Sequence, residues 1–582
     1  MSTAHRMSPS PSENSRSFAE SSEKVDTGIR TVEATHKVYG KYSKWFLFIG
    51  LGLASYIYSL DSQTTYYYLS IAASDLDKHS LIATVQVAQA VIIATFKPVI
   101  ARLADVTSRG FAYIAVLIFY VVGYIIIASA QRIEAIAGGI VVYAIGYTGL
   151  QLLTQIMIAD ITTLKWRGLV SGLVSLPFCV NAFIGANVYN AVLSNSGWRW
   201  GYGMFAILVP AALSPLIITL LWAERKAKRL NLAPPAPKTD LFDLAHQMDL
   251  FGLMLLGAAI ALILLPLTLA RGAENGWKNP SMIAMIVVGF VIVPMFVMWE
   301  KYTAYPIIPT RYLKNRSVVI AALIGLFDFI SFYLTFLYLY SFILVVQPWS
   351  PTNATYFVST QSVALTIFGI MGGVILRFTH RYKWTLVAGL CIRLLGVGLM
   401  IHSRGAQGST AELVWTQILQ GMGGGIAAIT SQVGAQASVP HVDVGMVTAV
   451  VLLFAEIGNA IGNAISGTIW TNQMPDRLAV HLPNLNETER AQIFSSINLI
   501  RDMYPVGTPT REGIIAAYGD VMRSLLITAT CIAIIPLLLS LAMPDWHLGD
   551  SQNAVDLTDL AGGRGTSSIT TSEEERDRDE KV

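Results

Sequence analysis

The chain has 582 residues, 53% of them hydrophobic and only 13% charged, with a formal charge of +3. Soluble domains carry roughly 25% charged residues, so the composition excludes an ordinary soluble enzyme. The near-balanced charge excludes a basic nucleic-acid-binding surface. Cys179, Cys391 and Cys531 all fall in apolar stretches without metal-ligand spacing, so no metal site and no disulfide framework is expected.

Residues 1–44 are rich in Ser and Glu and are expected to form a disordered tail. Fourteen apolar stretches follow, at about 45–69, 81–101, 111–130, 134–158, 168–193, 199–222, 249–269, 281–299, 317–345, 354–376, 384–402, 412–437, 445–470 and 522–543. Each can cross roughly 30 Å of hydrocarbon as a helix. The expectation is an all-α membrane protein with a six-helix bundle over 45–222. A linker with two additional transmembrane helices spans 223–316, and a second six-helix bundle spans 317–543. The second bundle includes a long outer loop, 471–521, and residues 544–582 read as an acidic, disordered tail. Within the loop, apolar Ile493, Ile497 and Ile500 follow Glu489 at helical spacing, which predicts a short amphipathic helix.

An even number of spans puts both termini on one side. With the termini inside, the short inner loops and their borders hold 17 Lys and Arg, Lys97 among them; the outer ones hold six, Arg404 among them. That asymmetry makes the termini cytoplasmic. The glycosylation sequons at Asn353 and Asn486 then lie outside, and the one at Asn315 lies inside, where it is silent.

Laying 168–187 on 445–464 without a gap matches Gly168 with Gly445, Val174 with Val451 and Gly185 with Gly462. This is a trace of repetition between the fifth and thirteenth spans. Transporters are commonly built from such repeats, with the substrate held at mid-membrane between the halves.

Three acids lie well inside spans, away from their first residues. A carboxylate at membrane depth is costly, so Asp61, Glu456 and Asp328 are candidates for proton coupling. Asp61 shares a helical face with Tyr58, Thr65 and Tyr68; a solvated acid at the outer interface is the plainer account of it. Glu456 shares its face with Asn459 and Asn463, while Gly458, Gly462 and Ser466 form a small-residue stripe on another. Asp328, with Ser331 and Thr335 nearby, also suits an interhelical hydrogen bond, and Arg393 is available to pair with any of these acids. Tyr143, Tyr147, Gln151 and Gln155 follow at intervals of four, and Gln89 and Gln420 add amides on other spans. Such uncharged groups suit a large, oxygen-rich cargo; helix packing explains any single glutamine as well. Tyr504 and Tyr518 in the outer loop are candidates to cover the cargo.

The loop Ala101-Arg-Leu-Ala-Asp105-Val-Thr-Ser108-Arg109 resembles the Gly-x-x-x-Asp-x-x-Gly-Arg loop of the major facilitator superfamily, with Ala101 and Ser108 in place of its glycines. The resemblance implies gating roles for Asp105 and Arg109; a helix cap with inner positive charge accounts for them too. Over about residues 40–545 the chain resembles the fungal siderophore–iron transporters of that superfamily. The stretches that carry the resemblance include Tyr58-Ser-Leu-Asp61, Lys97-Pro98, Glu300…Pro306-Ile-Ile-Pro309…Asn315-Arg316 and Gln420-Gly-Met-Gly-Gly-Gly425. The resemblance implies the major facilitator fold and proton-driven import of ferric hydroxamate siderophores across the plasma membrane by alternating access. It implies no cofactor, a monomer in lipid, and cycling through endosomes as an open question. A fourteen-span drug/proton antiporter, a glutathione/proton exchanger and a non-transporting receptor are the alternatives. An enzyme is not expected, because no catalytic triad, P-loop or metal motif is present.

Overall fold

The computed structural model describes residues 34–35, 38–75, 82–232, 248–269, 276–404, 409–495, 500, 503–551 and 553–555. The described secondary structure is helical. The first half contains α1 (Lys41–Asp75), α2 (Ile82–Val106), α3 (Arg109–Ser129), α4 (Ile133–Ile161), α5 (Leu164–Val174) and α6 (Leu176–Arg229). Two helices, α7 (Leu250–Leu269) and α8 (Pro280–Tyr302), lead through the short α9 (Thr310–Lys314) to the second half. There lie α10 (Arg316–Phe336), α11 (Leu339–Val346), α12 (Pro351–Thr379), α13 (Lys383–Ser403), α14 (Thr410–Ala437), α15 (Val444–His481), α16 (Glu487–Ser495) and α17 (Pro509–Leu541).

All fourteen predicted spans have a helical counterpart. The fifth and sixth share α6, which breaks at Gly197 (φ +77°), a conformation that costs glycine nothing. The ninth is α10 followed by α11. Eleven helices among the described residues are long and apolar enough to cross a membrane, as a multi-pass membrane protein requires. Caps set many boundaries. Ser108 receives the Phe111 N–H, Asn315 those of Ser317 and Val318, and Thr508 that of Arg511 ahead of Pro509. Glu300 accepts the N–H groups of Ile307 and Ile308 at 3.1 Å each, fixing the turn that delivers Asn315 to α10.

Two halves meet along two seams. The starts of α5 and α6 pack on α12, and α15 packs on α2. These seams are related as the sequence repeat implies. A Cβ on Gly373 would lie 2.5 Å from the Gly168 carbonyl carbon, and one on Gly445 would touch the Asp105 carboxylate at 3.4 Å. The repeat pair Gly168 and Gly445 therefore abuts the opposite half at both positions, whereas Gly185 lies against Gln63 and Gly462 against Ile330, each within its own half. Helix α7 lies against α2 and α15, and α8 packs on α7 with most of its surface outward.

Three boundaries differ from expectation. The outer loop is shorter than 471–521, because α15 continues to His481 and α17 starts at Pro509. Polar Asn472, Gln473, Asp476 and Arg477 end the apolar run but not the helix, whose Trp470, Met474 and Leu478 stay buried at intervals of four. The amphipathic helix forms as α16 with Ile493 buried; residues 496–499 lie outside the described residues. The disordered tail expected from 544 onward does not start there, because Leu548 and Asn553 are fully buried, and 556–582 lie outside the described residues. At the other terminus α1 begins at Lys41, inside the tail expected over 1–44, and 1–33 lie outside the described residues.

Candidate functional site

Asp61 sits inside the first half, wholly buried, and accepts hydrogen bonds from three phenols: Tyr120, Tyr124 and Tyr143, the last at 2.8 Å. Helices α3 and α4 supply this cage. Neither an outer-interface position nor a cargo-facing one fits that burial. Its expected companions Thr65 and Tyr68 are also core groups. The Thr65 hydroxyl bonds to the Asp61 carbonyl at 2.9 Å, and Tyr68 packs over Gly201 between Tyr189 and Tyr202. Their expected part in holding cargo does not match this packing.

Tyr58 turns elsewhere. Its ring stacks on Tyr147 at 4.7 Å, beside the seam between the halves. There Lys97, fully buried on α2, donates to Gln151 of α4 at 2.7 Å and pairs with Glu456 of α15 at 3.1 Å. Asn459 donates to the other Glu456 oxygen at 3.1 Å, and Asn463 to Asn459 at 2.7 Å. Gln155 meets Gln432 of the second half at 3.1 Å. The candidate residues Glu456, Asn459, Gln151, Gln155, Tyr58 and Tyr147 thus converge on one polar seam, and Lys97 completes it. The sequence reading had counted Lys97 as inner-loop charge. Its position within an otherwise apolar stretch was the available signal, since an ammonium at membrane depth is as costly as a carboxylate. Gln89 is half-buried on α2.

The second half holds its own buried charges. Asp328 pairs with Arg393 at 2.5 Å, and the same guanidinium donates to the Asp328 carbonyl at 2.7 Å. The structure thus selects Arg393's partner. Gln420 is buried with its amide on the Thr335 hydroxyl at 2.8 Å, so it is a core amide and not a cargo contact. Arg404, expected on an outer loop, is 1% exposed and donates to the Thr335 carbonyl at 2.5 Å and to Gln417 at 3.1 Å. Its place just past an apolar run concealed that burial.

Asp105 and Arg109 meet at 2.6 Å, and Arg109 also pairs with Asp160 at 2.9 Å. Asp160, at the end of α4, was missed because it reads as the polar border of a span. Gly445, Arg167 with Gln436, and Trp166 under Arg377 adjoin this cluster across the halves. This end carries the loop that resembles the superfamily's gating motif and is called the gate end. At the far end, Phe183 of the first half faces Tyr356 of the second with ring centres 5.9 Å apart. They border an open cleft of about 440 Å³ lined also by Trp349, Asn353, Phe357 and Val414. Asn353 is exposed there; Asn486 is exposed and caps α16 by accepting the Glu489 N–H. Tyr518 is not in a loop but buried on α17 against Trp470, while Tyr504 is half-buried.

Residues 51–364 match the model of the Major Facilitator Superfamily. Among curated proteins, the low affinity heme transporter str3 of Schizosaccharomyces pombe is 37% identical over 91% of this chain and 87% of its own length. The siderophore iron transporter mirC of Emericella nidulans is 37% identical over 95% and 93%. The siderophore transporter fer7 of Mycosarcoma maydis is 36% identical over 92% and 86%. Among solved structures, the proton:xylose symporter XylE aligns with a TM-score of 0.51 at 12% identity, covering 89% of this chain and 99% of that one, which speaks to the fold. Coverage, fold and seam together place this chain in the fungal siderophore–iron transporter family of the major facilitator superfamily.

Proposed function

We propose that this protein imports ferric siderophores, hydroxamates in particular, across the plasma membrane by proton-coupled alternating access, with the gate end and both termini in the cytoplasm. The Lys97–Glu456 pair carries the reading. It joins α2 to α15, so it must change whenever the halves rock apart, and Glu456 can take up a proton. Protonation cancels the charge that holds Lys97 and loosens the seam while cargo occupies it. Gln151, Gln155, Asn459, Tyr58 and Tyr147 offer donors and acceptors suited to hydroxamate oxygens. Iron travels inside the chelate as cargo. Asp61, held by three phenols, serves as a second proton site. The similarity to siderophore transporters supports the cargo class, and the inner excess of Lys and Arg supports the orientation.

The test is uptake of a panel of radiolabelled ferric siderophores, with heme included, by a transporter-null yeast expressing the chain. A protonophore should collapse accumulation. Glu456→Gln should lower concentrative uptake at least tenfold. Removing one member of a buried pair leaves the other unpaired, at a cost of about 3–5 kcal/mol, so the double variant Lys97→Met with Glu456→Gln serves as the folding control. It should recover surface expression without recovering coupling. Protonophore-insensitive accumulation, or outward extrusion of drugs without iron uptake, would overturn the proposal.

A further inference from the structure

The described residues that follow α17 stay against the protein. Residues 543–551 and 553–555 cross the gate end and bond to both halves. On the second half, the Tyr382 hydroxyl donates to the Pro544 carbonyl, and Arg381 pairs with Asp545 at 2.8 Å. The Trp546 indole N–H donates to the Ser317 hydroxyl at 3.0 Å. Leu548 N–H donates to the His380 carbonyl at 2.8 Å, and Ala554 N–H to the Ala437 carbonyl at 3.1 Å. On the first half, the N–H groups of Leu164 and Lys165 donate to the carbonyls of Ser551 at 3.0 Å and Gly549 at 3.1 Å. The Lys165 ammonium lies 3.5 Å from Asp550.

The attachment to α5 has a local cause. The first N–H groups of a helix have no partner within it. Thr163, at the N-cap of α5, makes no side-chain capping bond. Carbonyls of the C-terminal segment fill that place. Helix α5 is also the element whose Gly168 lies against Gly373 of α12, so opening the gate end requires α5 to part from α12. A segment fastened to both cannot follow both. Its bonds to the second half are more numerous and include buried Leu548; those to the first half are two main-chain bonds and one ion pair whose Asp550 side chain is 76% exposed.

We propose that residues 543–551 and 553–555 form a strap that holds the gate end closed, stays with the second half, and releases the start of α5 each time the gate opens. The strap contributes only to the gate-closed state, so it biases the balance between the two states by its own differential contacts. Weakening it enlarges the gate-open population, and fixing it to α5 stops the cycle. The proposal rests on the alternating-access reading, because it needs a gate end that opens.

The test uses the full chain with its three cysteines replaced and a reporter, Ser171→Cys, buried on α5 beside Gly172. A membrane-impermeant maleimide is applied to the gate end in inside-out vesicles. Leu548→Ser combined with Trp546→Ala should raise the labelling rate about tenfold, the shift expected for losing a few such contacts. In a second arm, Lys165→Cys with Asp550→Cys is joined by a short bifunctional maleimide. Uptake of a ferric trihydroxamate should stop, whereas a monofunctional maleimide should leave it running. Unchanged labelling in the loosened variant at parental thermal stability, or full transport by the cross-linked chain, would overturn the strap. If the loosened variant fails to fold, the cross-linking arm decides alone. Absence of siderophore uptake by the parent chain would instead sink the transport reading, while the labelling arm would still report on the strap.

Discussion

The two ends of the molecule close by different means. At the gate end the halves touch through backbone, at Gly168 and Gly373, and through buried polar groups around Asp105, Arg109, Asp160 and Arg167. At the far end the first half offers the Phe183 ring to Tyr356, and a cleft opens beside them. Backbone contact and buried hydrogen bonds tolerate little displacement, whereas a pair of rings at the border of a cleft can part at small cost. The conformation is therefore closed at the gate end and open beside the cleft at the far end. If the gate end is cytoplasmic, it is the outward-facing state.

The sharpest way to break this asymmetry is at Gly373. A side chain there meets the Gly168 backbone, which has no rotamer with which to yield. Gly373→Val should prevent gate closure and reduce uptake more than tenfold, with the protein still reaching the surface. Thiol labelling from the gate end should rise and labelling from the far end should fall. Normal uptake by Gly373→Val would show that the two halves do not need this contact.

Next in size is Asp61→Asn. The Asn side chain keeps the shape of the acid but cannot exchange a proton, and one of its two polar atoms is now a donor facing phenols. Concentrative uptake should disappear while exchange of labelled for unlabelled cargo persists, because exchange needs no net proton movement. Uptake that still builds a gradient would remove Asp61 from the coupling path and leave Glu456 alone on it.

Much of this arrangement was legible in the sequence, and the losses have physical reasons. Apolar run length located a helix for each of the fourteen stretches, and eleven described helices are long and apolar enough to satisfy their backbone across lipid. The helix faces that carry Glu456 with Asn459, and Gln151 with Gln155, are consequences of a 3.6-residue period. What periodicity cannot supply is the partner across the seam. Lys97 and Glu456 are 359 residues apart, and nothing local distinguishes a lysine that pairs inside from one that faces cytoplasm. Burial was misjudged at Thr65, Tyr68 and Gln420, where a polar side chain in an apolar stretch reads as cavity-lining yet found a hydrogen-bond or ring partner within one bundle, and at Arg404, which reads as an outer-loop charge yet is buried. The attachment of residues 543–551 and 553–555 was illegible because most of its bonds use a backbone group, which leaves no mark on composition.

Stability separates the far-end tyrosines. Tyr518 packs edge-on against Trp470, which in turn stacks on Tyr338 at 4.2 Å. Truncating a buried aromatic side chain to alanine costs roughly 3–5 kcal/mol, so Tyr518→Ala should lower the melting temperature of the purified protein by several degrees. Tyr504→Ala, at a half-buried ring, should lower it much less. Equal shifts for the two would mean that the outer loop and the second bundle melt together.

The smallest effect is expected where the far end meets cargo. Phe183 and Tyr356 come from opposite halves and border the cleft, so the distance between their rings must change as the halves rock. A bulky chelate entering there gains contact area with both rings, and neither ring carries charge or fixes a proton. Phe183→Ala and Tyr356→Ala should therefore raise the Michaelis constant about three- to tenfold, the range for losing one aromatic contact worth about 0.5–1.5 kcal/mol, and leave the maximal rate nearly unchanged. The order of preference among ferric siderophores should shift most for cargoes with the largest apolar surface. The measurement is initial uptake at several cargo concentrations and matched surface expression. A fall in maximal rate with unchanged Michaelis constant would move these rings from cargo contact to gate movement. The far end would then resemble the gate end more closely than its open cleft implies.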